Sequence, residues 1–258
     1  MNDINYVNWK SYYIKNFIID YNLKNTEHIR LFNTNDFTLK PNNINYMNPY
    51  LGEMVMLYYI WKNNLKSDII FIDQYGKRFY QNTYEDGIKL LNCNTNKNSV
   101  IVTWPYCDWE LNHQWITNDI IVKYKTFLKQ TYNMELEFPY NKFWWIMFGC
   151  KWETFCDICQ FIFGFLDYLF PNEGWTNINN LIDFRDNQYE LSKTDNTINK
   201  DHQDIRFYKD KRFFAFLFEQ LLAVYISNKF NIIVYNNYHI KLKHCYEQNM
   251  NMNNLIIT

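Results

Sequence analysis

Residues 53–73 read EMVMLYYIWKNNLKSDIIFID. From Glu53 to Trp61 the stretch is apolar almost without interruption, which predicts a largely buried helix. Lys62-Asn63-Asn64 supplies the stop, and Ile69 to Ile72 form an unbroken apolar run that predicts a buried strand. A helix followed at once by such a strand is the rhythm of an α/β sheet covered by helices. The strand ends on Asp73, and a turn through Gly76 leads to Lys77 and Arg78.

The same alternation extends outward. Apolar residues at Tyr13, Ile14, Phe17, Ile18 and Tyr21 predict an early helix over Asn8–Leu23, followed by a short strand, HIRLF. DFTLKPNNINYMNP then breaks regular structure. Further strands are expected at SVIVTW (Ser99–Trp104), KFWWIMFGC and IIVY. Helices are expected over Asn118–Tyr132, over Trp152–Leu169 before Pro171, and over FFAFLFEQLLAVYISNKF, which carries Glu219 inside an apolar run. Residues 183–210 are polar without apolar periodicity and predict a long loop or lid, and 240–258 a C-terminal tail. No repeat or linker divides the chain, so 1–258 is expected to be one α/β domain.

Composition narrows the partners. The 258 residues carry 26 Lys and Arg against 27 Asp and Glu, which leaves no net field for a nucleic-acid backbone or an anionic membrane. The first residues lack a basic start and an apolar stretch, and FCDICQFIFGFLDYLF is too short to span a bilayer and contains two aspartates. A soluble protein of a reducing compartment, the cytoplasm, is expected. Cys156-x-x-Cys159 admits a redox or metal reading, but a second pair at similar spacing is missing, and thiols on the apolar face of a helix explain it more simply.

Several carboxylates and bases stand where chemistry can occur. A strand-end acid such as Asp73 can hold a hard cation, and Lys77 and Arg78 can face phosphate oxygens; a solvated strand exit looks the same. Glu219, among Leu217, Phe218, Leu221 and Leu222, would be desolvated if it faces inward, as a general base requires, or it neutralises a neighbour such as Arg212. Glu53 poses the same choice, with a favourable helix dipole as the plainer explanation. His113 and His202 lie in polar segments, as ligands or as exposed side chains. Glycine-rich phosphate loops and the common hydrolase and zinc-protease signatures are absent.

Five blocks, in order, resemble a family of bacterial and viral polysaccharide-synthesis proteins known by the domain-of-unknown-function number 4422 (DUF4422), regarded as GT-A-type glycosyltransferases. NPYLGEMVMLYYIWKN resembles the family's asparagine, spacer and Glu-Leu-Thr-Ala-Leu-Tyr-Trp-x-Trp-Lys-Asn. DIIFIDQYGKRFY is similar to its strand ending in Cys-His-Tyr-Arg-Arg-Tyr-Phe, and WELNHQW resembles a segment that bears a histidine. WIMFGCKWETFCDICQFIF and RFFAFLFEQLLAVYI resemble two later segments of the family, the second aligning Arg212 and Glu219. INYVNWK stands in the place of the family's first strand. The chain departs at Gln74, where the family has histidine, at Gly76, which interrupts the basic run, and at Gln220, where it has arginine.

The resemblance implies a single GT-A-like domain with a mostly parallel sheet flanked by helices. It implies a nucleotide-sugar donor, UDP-linked, and a glycan acceptor, with Mn2+ or Mg2+ held by Asp73. Donor contacts would fall to Asn8, Lys10, Asn43, Asn48, Glu53, Gln74, Tyr75, Lys77, Arg78 and Arg212. If the reaction inverts the anomeric centre, Glu219 would be the base, and His113 would shape the acceptor side. The alternative is a GT-A-like module that has lost its chemistry and binds a glycan or a protein.

Overall fold

The structure, a computed structural model, describes residues 8–14, 29–32, 42–73, 77–79, 81–92, 98–103, 105–109, 115–136, 140–143, 146–198, 205–235 and 238–240. In chain order the elements are β1 (Trp9–Ile14), β2 (Ile29–Phe32), α1 (Asn48–Leu51), α2 (Met54–Lys62), β3 (Ile69–Asp73), β4 (Lys77–Phe79) and α3 (Gln81–Asn92). Then follow β5 (Ser99–Thr103), β6 (Pro105–Trp109), α4 (Asn118–Tyr132), β7 (Tyr140–Phe143), β8 (Phe148–Lys151) and α5 (Trp152–Leu169). The chain closes with α6 (Ile178–Thr194), α7 (Ile205–Lys209), α8 (Phe213–Lys229), β9 (Asn231–Tyr235) and β10 (Tyr238–Ile240).

Six strands make one mixed sheet in the order β2-β1-β3-β8-β5-β9. β1 is parallel to β2 and β3, and β5 is parallel to β9. β8 runs antiparallel between β3 and β5, so the other five strands point the same way. Their carboxyl ends, Asp73 and Tyr13 among them, share one edge of the sheet.

β3 is buried on both faces, and its residues divide by the period of two. Ile70 and Ile72 join Val100, Val102, Phe148 and Cys150 in the main core beneath α2, α4, α5 and α8. Ile69 and Phe71 join Ile101 and Met147 in a smaller core closed by Tyr84, Ile88 and Leu91 of α3. The Phe71 ring fits because its neighbours lack a side chain. A Cβ on Gly149 would stand 2.5 Å from that ring, and one on Gly87 would stand 2.7 Å from Ile101 and 3.3 Å from Phe71.

Tertiary contacts overrode local pattern in several places. Trp9–Ile14 is a strand, where the spacing predicts a helix, because it finds parallel partners on both sides; residues 15–23 lie outside the described set. KFWWIMFGC divides between β7 and β8, in different sheets. Residues 183–210 do not make one loop: α6 occupies them as far as Thr194, and α7 covers Ile205–Lys209. α6 escapes hydrophobic periodicity because part of its buried face is polar. There Gln188 accepts from the Thr117 hydroxyl and donates to Asp119 at 2.8 Å, joining α6 to the start of α4. α3 has no counterpart in the sequence reading; of the expected C-terminal tail, Ile240 is the last residue of β10, paired to β4, and residues 241–258 lie outside the described set.

Candidate functional site at the carboxyl edge

In open α/β sheets ligands bind beyond the carboxyl ends of the strands. A helix that leads back into a parallel strand starts at that same end, so the N-termini of α2 and α8 stand beside it. There Glu53 is buried, and its carboxylate meets the Arg212 guanidinium at 3.2 Å across 159 residues of sequence. Arg212 is 30% exposed and lies 5.7 Å from the Phe216 ring centre. A cation at the start of a helix opposes the dipole, and the Glu53 carboxylate offsets that cost.

The approach depends on Gly52. Its φ of 55° lies in the left-handed region, and an added Cβ would stand 3.0 Å from Ala215 and 3.1 Å from an Arg212 nitrogen. The NPYLGEMVMLYYIWKN and RFFAFLFEQLLAVYI blocks therefore touch at Gly52–Ala215 and at Glu53–Arg212.

Asp73 sits on the other face of the same edge. It is fully buried, and the Tyr84 hydroxyl donates to its Oδ2 at 2.6 Å. Tyr84, itself buried, meets Phe71 edge to face at 5.0 Å between ring centres. Sequence reasoning missed Tyr84; a hydroxyl eleven residues past the strand end, on an unread helix, gave no signal. Tyr84→Phe is expected to lower stability by about 1–3 kcal/mol in urea unfolding, since a buried carboxylate oxygen loses its donor. A loss under about 0.5 kcal/mol would show that Asp73 is satisfied without it.

A metal commonly reaches a nucleotide site through one or two carboxylates plus phosphates and waters. The fully buried, Tyr84-bonded Asp73 offers no open oxygen of that kind, and no three metal-ligating side chains cluster among the described residues. The expectation that Asp73 holds Mn2+ or Mg2+ finds no support in this geometry, and no step below runs through a metal.

The remaining candidates divide. Asn48 opens α1 and its carbonyl accepts from Gly52 N–H at 3.0 Å, on the same side as Glu53; Asn43 is half-buried just before it. The backbone of Lys77 and Arg78 forms β4, pairing with Ile240 and His239 of β10. Asn8 and Lys10 do not join this edge. Asn8 N–H donates to the Asp68 carboxylate at 3.0 Å, and Lys10 pairs with Ile70, both toward the amino end of β3. INYVNWK thus precedes the first strand's main length rather than closing it. Glu219 is half-buried on α8, seven residues and about 10 Å along the axis from Arg212. Next to it, Gln220 is buried, and its Oε1 has no hydrogen-bond partner among the described residues. Gln74, Tyr75, His113 and His202 lie outside the described residues.

The cysteine pair behaves as packing. Burial, foremost, pushes the thiols of Cys156 and Cys159 above their ordinary value, and Cys150 likewise. A redox nucleophile needs the opposite shift. No helix among the described residues is long and apolar enough to cross a membrane.

No family model matches the sequence, and no curated protein matches it. A solved structure described as apo WbbM, a bifunctional glycosyltransferase, is similar over 90% of this chain at 13% identity and a TM-score of 0.48, and the match spans 45% of that chain. The protein has a mixed α/β fold whose carboxyl edge carries a buried glutamate paired with a partly exposed arginine on one face and a tyrosine-held aspartate on the other.

Proposed function

We propose that the protein is a nucleotide-sugar-dependent glycosyltransferase whose donor lies across the carboxyl edge. The observation that carries this reading is the meeting of Glu53 and Arg212, from two of the five blocks of the resemblance, at the end of the sheet where α/β folds bind ligands. Arg212, fixed by Glu53 and partly exposed, is the donor contact for the diphosphate, and its fork suits phosphate oxygens. In the transfer, an acceptor hydroxyl oxygen bonds to the anomeric carbon, the bond from that carbon to the diphosphate breaks, and the nucleoside diphosphate leaves with the electron pair. Glu219 is the proposed base for the hydroxyl proton; it shares a stripe of α8 with Arg212 and Phe216, at a span that a sugar diphosphate can cover.

A second reading is a GT-A-like module that has lost its chemistry. Gln220 favours it: the position where the resembled family has an arginine holds a buried amide with an unpartnered oxygen. Thermal unfolding against a panel of nucleotide sugars, with and without Mn2+, separates the two. A donor at ~100 times its dissociation constant is expected to stabilise the protein by about 2.7 kcal/mol. Arg212→Lys, which keeps the charge but loses the fork, should weaken that shift, whereas Glu219→Gln should leave it. If no nucleotide shifts the transition, the transferase reading falls and the binding module stands.

A further inference from the structure

Beside the Glu53–Arg212 pair, across the short helix α1, lies a patch of a different chemistry. Tyr46 is 49% exposed, yet its hydroxyl donates to the Thr176 carbonyl at 3.2 Å, which pins the half-exposed ring. Behind it Tyr58 is half-buried, edge-on to Trp175 at 5.7 Å and to Phe163 at 4.9 Å. Trp175 is buried and donates its indole N–H to Asp167 at 2.6 Å, while Asp167 and Glu173 are themselves exposed. Burial first, then the charges of Glu173 and Asp167 and the neighbouring Tyr46, raise the Tyr58 hydroxyl above its ordinary value. It therefore stays protonated at neutral pH and can donate.

A held, half-exposed ring beside a hydroxyl that two exposed carboxylates act on is matched to one ligand class. The apolar C–H face of a pyranose covers an aromatic ring, and its hydroxyls donate to carboxylate oxygens, which only accept. Two carboxylates disfavour an anionic sugar, and they outweigh the charge of Lys62, whose ammonium lies 5.7 Å from the Tyr58 ring centre. We propose that Tyr46, Tyr58, Asp167 and Glu173 form a subsite for a neutral pyranose of the glycan acceptor. The proposal rests on the glycan reading above, but it concerns binding and not transfer.

The position fits that role. Tyr46 precedes α1 and Glu53, and Thr176 follows the carboxyl-edge end of α5, where Phe170 meets Phe214 of α8 at 5.8 Å between ring centres. The patch thus flanks the donor edge without sharing a residue with it.

Saturation-transfer NMR with the methyl glycosides of glucose, galactose, mannose and glucuronic acid tests it. At least one neutral glycoside is expected to receive transfer on its ring protons, at low and at high salt alike, and the glucuronide none. Tyr46→Ala should reduce the signal by at least about fivefold, as losing most of a stacking contact implies. Tyr46→Phe, which keeps the ring, should retain most of it. Because Tyr46 is half exposed, both variants should fold, which the near-ultraviolet signal of Trp175 reports. The proposal is overturned if no neutral glycoside binds, if Tyr46→Ala binds as well as the parent, or if binding disappears with salt as for a basic partner. Nucleotide-induced shifts in Tyr46→Ala should match the parent. Glycoside binding in a protein that no nucleotide stabilises would keep the subsite and remove the transferase.

Discussion

Arg212→Met is expected to lower the free energy of unfolding by about 3 kcal/mol, the low end for breaking a buried ion pair because the guanidinium is partly exposed. The cost arises at Glu53. That side chain is fully buried against the α1–α2 junction, and the substitution takes away its ion pair in a site water does not reach. The double variant Glu53→Gln/Arg212→Met should therefore recover much of the loss, with a coupling of about 1.5 kcal/mol or more. Urea unfolding of the four proteins in the cycle measures it. Additive losses would mean that the 3.2 Å contact is incidental. The double variant should nevertheless lose the nucleotide shift, because a fold restored by removing the charge has no fork left for a diphosphate.

Phe71→Ala is expected to cost about 3–5 kcal/mol, as for other buried phenylalanines, since the ring fills the space between β8 and α3. The more telling result is the change it makes at Gly149. In the parent, Gly149→Ala places a Cβ 2.5 Å from the Phe71 ring, and the overpacking should cost about 1–3 kcal/mol. With Phe71 already replaced by alanine, the new methyl enters the vacated space, and the same substitution should be neutral or stabilising. Denaturant midpoints for the two singles and the double decide this. A Gly149→Ala loss of equal size in both backgrounds would show that Gly149 is needed for its backbone and not for the ring's room.

The α2–β3 unit was legible because its signals are local. Nine residues of helix end where Asn64 takes φ 48°, and four apolar residues follow in the strand. α4, α5 and α8 were legible for the same reason, each with a broad apolar face or an apolar core throughout. α6 was not, because part of its inward face bonds through Gln188 and Ser192 instead of packing apolar side chains. β1 was misread because aromatic spacing over six residues suits a helix face as well as a strand, and only pairing to β2 and β3 distinguishes them.

The candidate site divides along the same line. Glu53, Asp73 and Arg212 were recognisable from residue type and from their place at the start of a helix or the end of a strand. Their chemistry was not. A glutamate at the first turn of a helix reads equally as a partner of the dipole, and only the fold brings an arginine from 159 residues away to it. A strand-end aspartate reads as a metal ligand, and only the fold puts Tyr84 on its oxygen and seals it from water. Sequence by itself determined the elements whose apolar pattern is continuous, α2, β3, α4, α5 and α8, because helix and strand periods are properties of neighbouring residues. Tertiary structure alone decided which charges meet and which stay open to solvent, because burial and pairing depend on contacts between segments that are distant in the chain.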